Sequence, residues 1–253
     1  MTWDVDDPES GVASSTGCDE TILSDETSGT GTTVTCSATN AAGLSASESV
    51  TIKINKTAPD ITLTSPADGA NYLLGAGVTA SYSCTDALSG IASCTGTLPD
   101  GASIDTSTPG SDRSFTVDAT DVAGNAASVT HTYNIIYSFN GFLPPIANLP
   151  VVNLVTAGRT VPVKWQLLDS SANYISDLGA VTSIESGPIP CDSAPAVVVG
   201  ETTDSTGGSS LRYDPAGNQF VYDWQTLKAW TGCRMLQLML NDGTTHLAKF
   251  SFK

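Results

Sequence analysis

Apolar and polar residues alternate with a period of two through most of the chain. Val78, Ala80, Tyr82 and Cys84 make one such series, Phe115, Val117 and Ala119 a second, and Val129, His131, Tyr133 and Ile135 a third. That period belongs to a strand with one buried face. Val161, Val163, Trp165 and Leu167 alternate inward in the same way, which turns Lys164 outward with Thr160, Pro162 and Gln166, and Phe220, Tyr222 and Trp224 follow suit. The stretch from Leu240 to Thr244 reads as a hairpin turn that sets Leu236, Leu238 and Leu240 against Ala248, Phe250 and Phe252. No long stretch repeats apolar residues at the helical spacing, so helix should be nearly absent. Between the strands lie Pro66–Gly69, Leu98–Gly101 and Asp121–Asn125, with the Pro, Asp and Gly that tight turns demand. Short strands punctuated this way predict an all-β chain of immunoglobulin-like sandwiches.

The pattern repeats. VDDPESGVASSTGC (Val5–Cys18) is echoed by SCTDALSGIASC (Ser83–Cys94), with Asp7 on Asp86, Ser10 on Ser89 and Gly11 on Gly90. TVTCSATNAAG (Thr33–Gly43) then matches FTVDATDVAG (Phe115–Gly124), and SVTIKI (Ser49–Ile54) and THTYNI (Thr130–Ile135) close the two units. In this register Met1 corresponds to Ala80, so the first unit has no counterpart to Thr57 through Thr79. The expectation is a sandwich incomplete at its N-terminus, in a fragment of a longer polypeptide or a reading frame begun too late, with upstream domains as its covalent partners. Residues Tyr82 to Ile135 resemble the bacterial immunoglobulin-like repeats of the hyalin-repeat (HYR-like) type, which occur in long secreted and cell-surface proteins.

From Ile136 the composition shifts: bases become common and Trp165, Trp224 and Trp230 occur. Tyr137–Leu167 with Phe220–Phe252 is similar to the extracellular PxKF domain, named for its Pro-x-Lys-Phe motif. The motif stands here as Pro162, Val163, Lys164 and Trp165, with Trp where the family has Phe. The resemblance implies a C-terminal β-sandwich of the kind that ends modular secreted proteins. The expected domains are a partial repeat at 1–56, a complete repeat at 57–135 and the PxKF-like sandwich at 136–253.

Charge narrows the partners. Residues 1–56 carry nine acids against two bases, 57–135 eight against one, and 136–253 nine against seven. Such a surface repels nucleic acid. Neither a signal peptide nor a membrane span is legible. The six cysteines lie two to each third, without zinc spacing. Pairing within domains gives Cys18–Cys36, Cys84–Cys94 and Cys191–Cys233, and with it an extracellular or cell-surface location; reduced, buried cysteines are the other reading.

No nucleophile elbow, HExxH helix or phosphate-cradling loop is present, and the chain reads as non-enzymatic. No cofactor is implied except calcium. Asp86, Asp121 and Asn125 lie at strand ends, where two loops of a sandwich can meet, and Ca²⁺ takes hard oxygen ligands. The same residues also serve as plain turn formers. Lys164, facing outward, is not expected to form a cross-strand amide bond. Trp230 is the tryptophan left for stacking on a sugar ring, and Asn55-Lys56-Thr57 is a glycosylation triplet. The function expected is a spacer, stalk or surface-display and adhesion element. The alternatives are an accessory tail of a secreted hydrolase whose chemistry lies upstream of Trp3, or a module that binds a cell-surface glycan or protein.

Overall fold

The computed structural model describes residues 1–202 and 211–253. Its strands are β1 (Val12–Thr16), β2 (Thr32–Asn40), β3 (Ser45–Ile52), β4 (Asp60–Ser65), β5 (Ala70–Leu73), β6 (Ser81–Thr85), β7 (Ile91–Gly96), β8 (Gly110–Asp121) and β9 (Ala126–Ile136). They continue as β10 (Ser138–Leu143), β11 (Val152–Val155), β12 (Thr160–Leu168), β13 (Val181–Ile189), β14 (Glu201–Thr202), β15 (Arg212–Asp214), β16 (Gln219–Gln225), β17 (Gly232–Leu240) and β18 (Thr245–Phe252). Among the described residues the helical structure is one 3-10 turn, Leu178–Ala180, and no helix is long and apolar enough to cross a membrane.

The chain is all-β, as the period-two pattern requires. The first repeat is a single three-stranded sheet, β1-β2-β3. The second holds β4-β6 and β5-β9-β8-β7, and the C-terminal part holds β10-β12-β16-β15 and β11-β18-β17-β13-β14. Two compact units result. One comprises Met1–Thr64, Ser81–Asp100 and Thr116–Thr130; the other comprises Ser65–Ala80, Gly101–Phe115 and His131–Lys253. The long strands β8 and β9 thus contribute to both.

In the first unit, β2 and β3 are registered by a row of paired hydroxyls, Thr33 with Thr51 at 2.9 Å, Thr35 with Ser49 at 2.8 Å, Ser37 with Ser47 at 3.0 Å and Thr39 with Ser45 at 2.8 Å. The opposite face of β2 carries Val34, Cys36 and Ala38. Both repeats close the following hairpin identically: Asn40 and Asp121 each donate their N–H to the carbonyl of the fourth residue on, at 2.9 and 3.0 Å. Gly43 and Gly124 supply the left-handed backbone that the turn needs, at φ of 84° and 94°.

The disulfides Cys18–Cys36, Cys84–Cys94 and Cys191–Cys233 join Cα atoms 4.6, 5.9 and 5.1 Å apart. Separations of 10 and 18 residues would by themselves place the Cys84–Cys94 staple across a local hairpin and the Cys18–Cys36 staple between more distant strands. The reverse holds. Cys84 on β6 and Cys94 on β7 lie in different sheets, because the intervening turn crosses from one to the other, whereas Cys18 follows β1 and joins its sheet neighbour β2. Closing loops of 18 and 10 residues stabilises by about 3 kcal/mol each.

In the second unit, Val161, Val163, Trp165 and Leu167 of β12 and Phe220, Tyr222 and Trp224 of β16 share one core with Leu236, Leu238, Leu240, Ala248, Phe250 and Phe252. Trp165 pairs with Phe220 and stacks on it at 5.4 Å, the rings 4° from parallel. The β17–β18 register differs from the expected facing: Leu236 opposes Ala248, but Leu238 opposes His246, and Phe250 and Phe252 oppose Arg234 and Gly232. The face is as expected; the tight turn carries the pairs further along.

The outer face of β17 and β18 is buried as well. Residues 190–200 run across it, and Lys249 donates through Nζ to the carbonyls of Cys191 and Ser193 at 2.8 and 2.9 Å. Gln237 donates to the Val198 carbonyl and accepts from its N–H.

Candidate functional site

Two turns of the second repeat come together. In the first, Asp86 Oδ1 accepts N–H groups from Leu88, Ser89 and Gly90 at 3.1, 2.7 and 2.9 Å. A short acid at the head of a turn does this by its own reach. In the second, Asp121 Oδ1 accepts the Asn125 N–H at 2.8 Å and Oδ2 accepts from Asn125 Nδ2 at 2.8 Å. The Val122 N–H donates to the Gly90 carbonyl at 3.0 Å and ties the turns to each other. Asp86, Asp121 and Asn125, singled out in the sequence, are therefore neighbours.

Between the two carboxylates sits Asn55. Its Nδ2 donates to Asp121 Oδ2 at 2.9 Å, Asp86 Oδ1 at 3.1 Å and Ser89 Oγ at 2.8 Å. The amide cannot be turned round without loss, because Thr57 N–H donates to its Oδ1 at 2.9 Å. Asn125 Nδ2 also donates to the Asn55 carbonyl at 3.2 Å. A neutral amide thus occupies the point between two acids where a cation would otherwise be placed. Among the described residues no group of three His, Cys, Asp or Glu side chains is arranged to hold a metal ion.

The residues flanking Asn55 are tied on the side of the first repeat. Ile54 and Thr27 bond through Thr27 N–H to the Ile54 carbonyl at 3.0 Å and Ile54 N–H to Thr27 Oγ1 at 3.1 Å. Thr57 Oγ1 donates to Glu26 at 2.7 Å. Residues 54–57 are thus held from two sides, by Glu26 and Thr27 and by the Asp86 and Asp121 turns, all within the first compact unit.

The first repeat solves the same problem internally. Asp7 Oδ1 accepts from Glu9 and Ser10 N–H at 3.0 and 2.8 Å, as Asp86 does, and the position of Asp121 is Asn40. Asn40 donates through Nδ2 to Asp7 Oδ2 at 2.9 Å. One acid and one amide close the site. Where the second repeat has two acids, it takes its amide from the preceding linker.

These bonds hold the carboxyls low. The Ser10 N–H and the Asn40 amide push Asp7 down to about 2. Burial pushes Asp86 and Asp121 upward, but the Ser89 and Gly90 N–H groups on Asp86, and Asn125 on Asp121, outweigh it and leave both below the usual range. Such groups stabilise the fold above their unfolded value near 3.8 and lose that contribution as the pH falls toward 2.

A second buried acid also ties down a chain junction. Asp242, in the β17–β18 turn, is 1% exposed and accepts the Tyr137 N–H at 2.8 Å, where the chain leaves β9 for β10. Asp121, also 1% exposed, is its counterpart at the first linker. Sequence reasoning missed Asn55, Ser89 and Asp242. The repeat register held a signal for the first, since Asn55 falls on Ile136 and is thus peculiar to one linker.

The remaining expected residues are scattered. Pro162 and Lys164 lie on the outer face of β12 and Trp165 in the core beneath. Trp230 is partly exposed, but Arg234 covers one ring face with its guanidinium 3.9 Å from the centroid. An open groove of ≈ 360 Å³ beside Asn55 is lined by Thr27, Lys53, Ile54, Leu88, Ser89 and Val122 among others.

No family model matches the chain, and no curated protein matches it. Among solved structures it is similar to the fibronectin(III)-like modules of Clostridium thermocellum CbhA, at 16% identity over 77% of this chain and 94% of that one, with a TM-score of 0.26. It is also similar to immunoglobulin domains 1–5 of Sidekick-1, at 12% identity over 91% of this chain and 46% of that one, TM-score 0.32. A third is the Bacteroides ovatus glucan-utilization protein SGBP-B in complex with a mixed-linkage heptasaccharide, at 14% identity over 78% and 48%, TM-score 0.25.

Proposed function

We propose that this chain is a non-catalytic, extracellular modular spacer: a partial repeat at 1–56, a complete repeat at 57–135 and a C-terminal sandwich at 136–253, of HYR-like and PxKF-like type. The observation that carries the reading is the Asn55 joint. A flexible linker needs no partners, and this one spends its side chains and carbonyls on both neighbours. Three disulfides support an oxidising location. The common design of the two Asp turns, satisfied internally in one repeat and through the linker in the other, suits a module made to be joined in series. Calcium enters this reading only if the Asn55 amide gives way to it.

Trypsin tests the joint, because Lys53 and Lys56 flank Asn55. Folded protein should resist cleavage at both lysines, while Asn55→Ala should be cut there at least about tenfold faster, cleavage following the population of the opened state. Equal rates in the two proteins, read by mass spectrometry of the first fragments, would remove the basis for a tied joint.

A further inference from the structure

Acids outnumber bases 26 to 10 in the chain, yet residues 143–168, 224–241 and 243–253 contain neither Asp nor Glu. The fold brings these acid-free runs together at one end of the C-terminal sandwich. Ala157 N–H donates to the Lys253 carbonyl at 3.1 Å, and Arg159 and Thr226 exchange bonds at 3.0 and 3.2 Å. The Lys228 stem lies across Gly158, where a Cβ would collide with it. Arg159, Lys228 and Lys253 are all exposed around this one turn. Beside them is the partly exposed Trp230, packed against Trp224 and Phe252 at 5.7 and 5.4 Å, with Arg234 over one face.

We propose that this end binds an acidic polysaccharide of the uronate type. The exposed cations meet the carboxylates, and the accessible part of the indole meets a pyranose ring. Local charge decides such an encounter despite the acidic bulk, since charges further away than about 8 Å are largely screened at physiological salt. A glycan fits better than a single-stranded nucleic acid, which needs several aromatic platforms for successive bases. Here there is one indole. This activity stands apart from the spacer reading; either can fail without the other.

The full chain is to be tested by affinity electrophoresis in gels containing polygalacturonate, a neutral glucan, poly-glutamate or single-stranded DNA. Retardation by polygalacturonate is expected, decreasing as salt rises. The triple variant Arg159→Gln, Lys228→Gln, Lys253→Gln should bind roughly tenfold more weakly, the sum for three exposed ion pairs, with unchanged circular dichroism. Absence of retardation, equal retardation of the triple variant, or equal or stronger retardation by poly-glutamate or DNA would overturn the proposal.

Discussion

Replacing Asn55 by Asp should lower the melting temperature by roughly 10 °C or more at neutral pH, far beyond an ordinary surface substitution. The change is isosteric but replaces the only groups that donate to both Asp86 Oδ1 and Asp121 Oδ2 from the linker with a third acid. Like charges at hydrogen-bonding distance with no cation between them are among the costliest arrangements a fold can hold. Two controls give the sign. Acid should narrow the gap between variant and wild type, because protonation relieves the variant, whereas the wild type loses the support of its low carboxyls as the pH falls from about 5 toward 2. Millimolar calcium should restore part of the loss in Asn55→Asp, where three carboxylates then converge, and leave the wild type unchanged. A calcium-dependent rise in the wild type would show that the amide yields its place to the cation. A variant melting with the wild type across this range would show that the amide carries no load.

Trp165→Ala should destabilise the C-terminal sandwich by about 3–5 kcal/mol, through a cavity opened against the stacked Phe220 ring. Trp165→Phe, which keeps an aromatic ring at the site, should cost less than about 1.5 kcal/mol. One reason lies in the indole itself: its Nε1 is buried with no hydrogen-bond acceptor among the described residues, so Phe removes an unmet donor along with packing. Urea melts followed by tryptophan fluorescence distinguish the two. Equal losses in both variants would mean that the site demands the full indole rather than a ring of aromatic shape.

The sequence carried the strands and the inward faces because alternation is a local signal: β12 reads out, burying and exposing in turn, almost as its residues are spelled. It carried the repeat and set Asp86, Asp121 and Asn125 at strand ends, but only the fold shows their turns joined, Val122 N–H to the Gly90 carbonyl. It did not carry which sheet a strand joins, and so the Cys84–Cys94 staple, ten residues apart and easily taken for a hairpin brace, proves to link two sheets. Lys249 and Gln237 sit at strand positions whose parity faces outward, yet are 6% and 1% exposed, because the covering segment arrives from far along the chain. Asn55 was hidden for a related reason. Its triplet suggests a glycan acceptor, and only the fold shows that the nitrogen a glycan would occupy is already committed to three acceptors.

The Asn55 joint should leave residues 53–57 as ordered as the strands on either side. Nitrogen-15 relaxation across residues 53–57 measures this directly. The wild type should give order parameters near about 0.85, as in rigid backbone, and Asn55→Ala should fall below about 0.6. Values already below about 0.6 in the wild type, with the flanking strands rigid, would mean that the joint does not order this segment.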